Sequence, residues 1–203
     1  MKTIAFDLDG TLIDISERDY RIYADILLEL GYKPIEKEIY WPQRRNVTDI
    51  HCILKQSGCT DGNDVNYFLQ KRQEKMEDMY YLKMDTLFAD TIDTLDTLSN
   101  SYHLVILTRR LEEENTRKQY EWLGLDKKAE LKIVKRDKKE QMRAIPNLCA
   151  FIGDTENDIL PANELGVMSI AVTTGIRNEN KLKELHPAMI IKTLSEVINI
   201  KQI

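Results

Sequence analysis

The chain has 203 residues, of which 42% are hydrophobic and 31% charged, with a formal net charge of −5. That length suits one core domain plus a modest insertion, burying roughly 70% of the surface an unfolded chain exposes, and the composition excludes disorder. The acidic balance excludes broad nucleic-acid or anionic-membrane binding, which needs a positive field, and three cysteines without paired spacing exclude a disulfide framework or zinc site. Cys52, Cys59 and Cys149 are expected as buried thiols. Charges at positions 2, 7, 9 and 14 interrupt any signal-peptide apolar region and no run approaches a membrane span, so the expected location is the cytoplasm.

Ile4, Ala5 and Phe6 form an apolar run too short for a helix, which predicts a strand covered on both faces. Asp7 follows at its carboxyl edge, the edge where open α/β sheets bind ligands. Asp9 lies two residues on, and Gly10 lets the chain turn sharply. Two carboxylates this close repel each other, so the pair calls for a metal or an acid/base role.

From Asp14 to about residue 84 the pattern is helical. Ser16 is the expected cap of a first helix, with Ile22, Ile26, Leu27 and Leu30 on one face before Gly31. Pro34 is expected to open a short helix, Val47 to Gln56 another, and about Asn63 to Lys83 a long one. Val65, Phe68, Leu69, Met76, Met79 and Tyr80 mark a stripe of the long helix, read as packing. Arg44 and Arg45 fall in Trp41-Pro42-Gln43-Arg44-Arg45-Asn46, read as a solvated loop. From Asp85 on, helices alternate with apolar strands at 103–107, 131–134, 148–152 and 168–172, with an extra strand at 188–191. Such alternation implies right-handed crossovers and a parallel sheet. An insertion of about seventy residues after the first strand is too long for a connector and predicts a small domain of its own.

The opening Asp7-Leu8-Asp9-Gly10-Thr11-Leu12 resembles the first signature of the haloacid dehalogenase (HAD) superfamily of phosphatases and phosphomutases. Gly153-Asp154-Thr155-Glu156-Asn157-Asp158 resembles its fourth. Thr108, after the second strand, corresponds to the second signature, where a hydroxyl and the amides of a following helix can grip phosphate. The third is a lysine opening a helix. Lys135, Lys138 and Lys139 all qualify; Lys138 is preferred because Met142 and Ile145 then keep its helix packed. Arg109 and Arg110 are expected as solvated arginines at a helix start. His51, His103 and His186 lack partners at ligand spacing and read as structural or surface residues.

The resemblance implies a Rossmann-like α/β core over residues 1–14 and 85–203, with a parallel sheet covered by helices on both faces. It also implies an all-helical cap at residues 15–84, of the kind found in phosphoglycolate phosphatases and β-phosphoglucomutases. It further implies Mg²⁺ held by Asp7, Asp154 and Asp158 side chains and the Asp9 carbonyl, with Asp158 acting through water or as support. The expected activity is Mg²⁺-dependent hydrolysis of a small phosphorylated metabolite through an aspartyl-phosphate. Asp7 would be the nucleophile, Asp9 the acid and base, and Thr108 and Lys138 the groups that orient and neutralise the phosphate. Arg18, Arg44 and Arg45 are candidate readers of a second anionic group. A phosphomutase with the same residues, or a phosphoacceptor receiver domain, is the alternative. The chain is expected to be a monomer or weak homodimer.

Overall fold

The computed structural model describes residues 1–201 and divides into two compact units, Ile15–Asp85 and, joined across it, Met1–Asp14 with the chain from Thr86 on. β1 (Thr3–Phe6) is buried throughout, as a central strand with two covered faces must be. A tight loop follows, in which Gly10 adopts φ +81° and its N–H donates to the Ile13 carbonyl at 2.8 Å. The chain then enters the short β2 (Ile13–Asp14).

The inserted unit contains α1 (Ser16–Glu29), α2 (Lys37–Arg45), α3 (Ile50–Gln56), α4 (Gly62–Lys75) and α5 (Met79–Leu82). Its core joins Ile22, Tyr23, Ile26 and Leu27 of α1 to Tyr40, Leu54 and Phe68. Helix boundaries depart from expectation where local hydrogen bonding or packing outweighs pattern. Ile15, not Ser16, holds the first N-cap position. Asp49 caps α3 by accepting the His51 N–H at 2.7 Å, so this helix starts later than Val47. Residues 41–45 are helical, not a loop, because Tyr40 anchors α2 in the core; Pro42 is tolerated in this short helix at the loss of a single N–H donor. The long helix is in fact two, because Asp78 accepts the Tyr80 N–H at 2.8 Å and starts α5 afresh. The packing stripe breaks with it: Val65 and Phe68 are buried, whereas Leu69 and Tyr80 are exposed.

Two buried ion networks stiffen this unit. Asp19 accepts from Arg72 at 2.6 Å and Arg44 at 3.3 Å, and also from the Tyr40 hydroxyl. Burial alone would raise its carboxyl, but Arg72, Arg44 and the Tyr40 hydrogen bond hold it well below the usual carboxylate range. Arg18 is 1% exposed; its Nε lies 3.1 Å from Asp85 and it donates to the Met76 carbonyl at 3.0 Å. Arg18 is therefore a structural cation of the helical unit, contrary to the expectation that it is available to a substrate.

The other unit continues with β3 (Thr86–Leu87), α6 (Thr91–Ser99), β4 (His103–Arg109), α7 (Glu113–Trp122), β5 (Glu130–Val134), α8 (Lys138–Ala144) and β6 (Leu148–Gly153). It ends with α9 (Glu156–Glu164), β7 (Met168–Val172), α10 (Glu179–Lys183) and β8 (Met189–Ile191). Six strands pair in the order β5-β4-β1-β6-β7-β8, all parallel, with helices on both faces. β2 and β3 form a separate antiparallel pair, too short at two residues each to leave a sequence pattern. Of the cysteines only Cys59 is buried; Cys52 is exposed and Cys149 half-buried. Among the described residues no helix is long and apolar enough to cross a membrane.

Candidate active site

Register alone brings the acidic residues together. Phe6 is paired with Ile106 on one side and Ile152 on the other, so Asp7 emerges beside the strand ends that carry Thr108 and Asp154. Asp7, Asp154 and Asp158 are all buried, and one carboxylate oxygen from each lies within 4.8 Å of the other two. Three glycines make this crowding possible. A Cβ at Gly10 or Gly175 would stand 2.3 or 2.0 Å from the Asp154 carboxylate, and one at Gly153 would stand 2.3 Å from Asp158. Asp154 is further held by the Ile176 N–H at 2.6 Å and the Thr11 hydroxyl at 3.4 Å.

Of the three candidate lysines, Lys138 is the one whose Nζ reaches this cluster. It donates to Asp7 and to Asp158, each at 2.7 Å. Lys135 is exposed, and Lys139 pairs with Glu164 on the surface. Lys138 can reach inward because Asp137 caps α8 by accepting the Lys139 N–H at 2.8 Å, which fixes Lys138 at the first helical position. Asp158 is nearly saturated: its other oxygen accepts from the Thr155 hydroxyl at 2.7 Å and the Thr155 N–H at 3.1 Å, forming a capping box at the start of α9.

Charge does not balance in this cluster. Fully ionised, the three buried carboxylates would face one ammonium with an excess of about two negative charges. The imbalance is felt at Asp7, whose carboxyl burial pushes up to about 7, against the opposing pull of Lys138 and with the help of Asp158 and Asp9. Asp154 is raised well above the usual range by burial and then by Asp7 and Asp158. Burial works against the Lys138 charge, but Asp158 and Asp7 outweigh it and keep the ammonium protonated. A divalent cation fits both the charge deficit and the donor set. The donors are hard carboxylate oxygens, and opposite ligands of Mg²⁺ stand about 4.2 Å apart, within a small adjustment of those present.

Asp9 stands apart from this triad. Both its oxygens accept from Arg110, at 2.7 and 2.8 Å, and Arg110 also donates to the buried Gln119 at 3.1 Å. Arg110 is 3% exposed, so the expectation of two solvated arginines fails for it and holds only for Arg109. The helix after Thr108 starts later than expected, at Glu113, and Thr108 itself is a buried residue of β4. Thr108 nonetheless lines, with Asp7, Asp9, Lys138, Asn157 and Ile176, a crevice of about 130 Å³.

Residues 1–166 match the haloacid dehalogenase-like hydrolase family. The chain belongs to that family. A phosphoglycolate phosphatase of Vibrio parahaemolyticus is 28% identical, with 98% of this chain and 96% of that protein aligned. The pyrophosphatase PpaX of Oceanobacillus iheyensis is 24% identical over the same shares of the two chains. Among solved structures, the haloacid dehalogenase-like protein SP0104 from Streptococcus pneumoniae has the same fold, with a TM-score of 0.76, 24% identity and coverage of 98% of this chain and 97% of that one.

Within this haloacid dehalogenase-like site, sequence reasoning missed Arg110 as the partner of Asp9, and the whole loop after β7. Thr174 donates to the Gly10 carbonyl at 2.9 Å, Gly175 leaves room for Asp154, and Ile176 donates to it. The available signal was Thr173-Thr174-Gly175, polar residues and a glycine at the carboxyl end of an apolar strand, the same pattern that marks Asp7 and Asp154.

Proposed function

We propose that the protein is a Mg²⁺-dependent phosphohydrolase that cleaves a small phosphorylated metabolite through an aspartyl-phosphate. The observation that carries this is the buried triad of Asp7, Asp154 and Asp158, whose Asp7 lines a crevice of about 130 Å³ together with Asp9, Thr108 and Lys138. Relatives named as phosphoglycolate phosphatase and pyrophosphatase support phosphate transfer to water as the reaction. Residues 1–14 and 85–203 form the proposed catalytic core and residues 15–84 its cap.

Asp7 is the proposed nucleophile: a carboxylate oxygen attacks phosphorus in line and displaces the substrate alkoxide. Lys138, 2.7 Å from Asp7, damps the repulsion between two anions as they approach. Asp7, Asp154 and the Asp9 carbonyl, with Asp158 as support, would hold Mg²⁺, which would supply further positive charge toward the phosphoryl oxygens. Thr108 orients those oxygens from the floor of the crevice. Asp9, fixed by Arg110, gives a proton to the leaving oxygen and then takes one from the water that opens the acyl-phosphate. Phosphate release from p-nitrophenyl phosphate and a panel of phosphorylated metabolites tests this reading. Wild type is expected to turn over with Mg²⁺ and to stop in excess chelator, and Asp7→Asn is expected to be inactive. Full turnover in chelator, or by Asp7→Asn, rejects it.

A further inference from the structure

A second and larger cavity adjoins the crevice on the same unit. It holds about 410 Å³, and Arg109, Lys138 and Asn157 line both spaces. Its charges pair off unevenly. Glu164 is held by Lys139, and Glu156 by Arg177 through two bonds at 2.7 and 2.8 Å. Lys138 is spent on Asp7 and Asp158. What remains is Asp137, whose carboxylate caps α8, and two arginines, Arg109 and Arg136. Among the described residues neither of those two guanidiniums has a hydrogen-bond or ion-pair partner. Both are exposed, and Arg109 sits at the mouth shared by the two spaces.

Two unpaired guanidiniums in one concave wall form a fork for an oxyanion, since each presents several donors in a plane that matches carboxylate or phosphate. The crevice, at about 130 Å³, is the smaller of the two spaces and is the one that Asp7 lines. A substrate whose phosphoryl group meets Asp7 can lay a second anionic group in the adjoining space that shares Arg109, Lys138 and Asn157, and that space carries unneutralised positive charge. We infer that the cavity bounded by Arg109 and Arg136 is a second anion subsite, and that the substrate is a two-headed anion: one phosphoryl group in the crevice and a second phosphate or carboxylate a few bonds away on these arginines. The inference rests on the phosphohydrolase reading above and narrows it to a substrate class. It makes Arg136, which lies just before the helix that carries Lys138 and does not line the crevice, a specificity residue.

The test compares binding of one-headed and two-headed ligands by calorimetry, using full-length Asp7→Asn protein to prevent turnover and one fixed Mg²⁺ concentration. The ligands are inorganic phosphate, inorganic diphosphate and phosphoglycolate. At least one two-headed ligand is expected to bind about 10- to 100-fold tighter than inorganic phosphate, the usual scale of a charge-assisted hydrogen bond. Arg136→Ala should erase that advantage and leave the affinity for inorganic phosphate unaltered, and Arg136→Lys should restore part of it. A gain confined to diphosphate assigns the subsite to phosphate, and one confined to phosphoglycolate assigns it to carboxylate. Equal affinity for all three ligands, no binding of either two-headed ligand, or an advantage that survives Arg136→Ala overturns the inference. Failure of the phosphohydrolase reading looks different: wild type then releases no phosphate from an aryl phosphate, whatever the calorimetry gives.

Discussion

At the scale of single residues, the site depends on two carboxylates that differ in their partners, and this difference is measurable. Asp7 faces Lys138 and the acidic cluster; Asp9 is held by Arg110 through both its oxygens and lines the crevice. Asp7→Asn should form no phosphoenzyme. Asp9→Asn should accumulate some with a substrate whose leaving group needs no proton, and acid-quench mass spectrometry distinguishes the two. Identical behaviour, with no trapped species in either, contradicts the assigned roles. Arg110→Ala removes a buried two-pronged hold on Asp9 and should lower kcat/KM by about 1.5–3 kcal/mol in transition-state terms, with a larger loss for alkyl than for aryl phosphates. Gly10→Ala puts a Cβ 2.3 Å from an Asp154 oxygen at a φ of +81°. It should destabilise the fold by about 1–3 kcal/mol in urea titrations. Asp7, Asp9 and Asp154 stand out as candidates in the sequence because each follows a strand in a short, ordered string, whereas Lys138 is one of three lysines that spacing does not separate and only its contacts with Asp7 and Asp158 single it out. Arg110 could not, because its bond to Asp9 spans 101 positions and leaves no local pattern.

At the scale of elements, the Asp19 network shows how a small helical unit can place charge in its core. Removing the carboxylate while Arg72 and Arg44 stay should cost about 3–5 kcal/mol, the range for breaking a buried ion pair from one side. Because the folded carboxyl lies below its unfolded value, its stabilisation is fully present above about pH 4 and is lost as the pH falls through the lower, folded value. The gap in urea midpoint between wild type and Asp19→Asn should therefore be constant from neutral pH to about 5 and narrow in acid. A gap independent of pH down to 3 is inconsistent with this pairing. Strands were legible because their apolar runs were short and bounded; all five between residues 103 and 191 lie where the pattern predicts. Helix ends were less so. Asp49 and Asp78 decide where α3 and α5 start, and a capping side chain competes with periodicity in a way that a hydrophobic stripe does not register.

At the scale of the whole molecule, the proposed binding of Mg²⁺ by the buried acidic triad makes stability depend on the ion. At about a hundred times its dissociation constant the ion should stabilise the fold by about 2.7 kcal/mol, raising the Tm by several degrees over a potassium control of equal ionic strength. Asp154→Asn should abolish the rise; a Tm that does not respond to Mg²⁺ in wild type argues against a metal in the triad. The strand order has a separate consequence for how the chain comes to be folded. β1 precedes β4 and β6 in the chain, yet it lies between them, pairing with residues 103–106 and 148–152. The helical unit, a compact cluster formed within Ile15–Asp85, can close while the rest of the chain is still on the ribosome. Until Leu148 to Gly153 emerge, the apolar Ile4, Ala5 and Phe6 have only half their partners. A nascent chain that has not yet delivered residues 148–153 thus carries β1, buried at every residue in the finished fold, unpaired on at least one edge, and a chaperone that binds exposed apolar segments would find a site in the very strand that leads into Asp7.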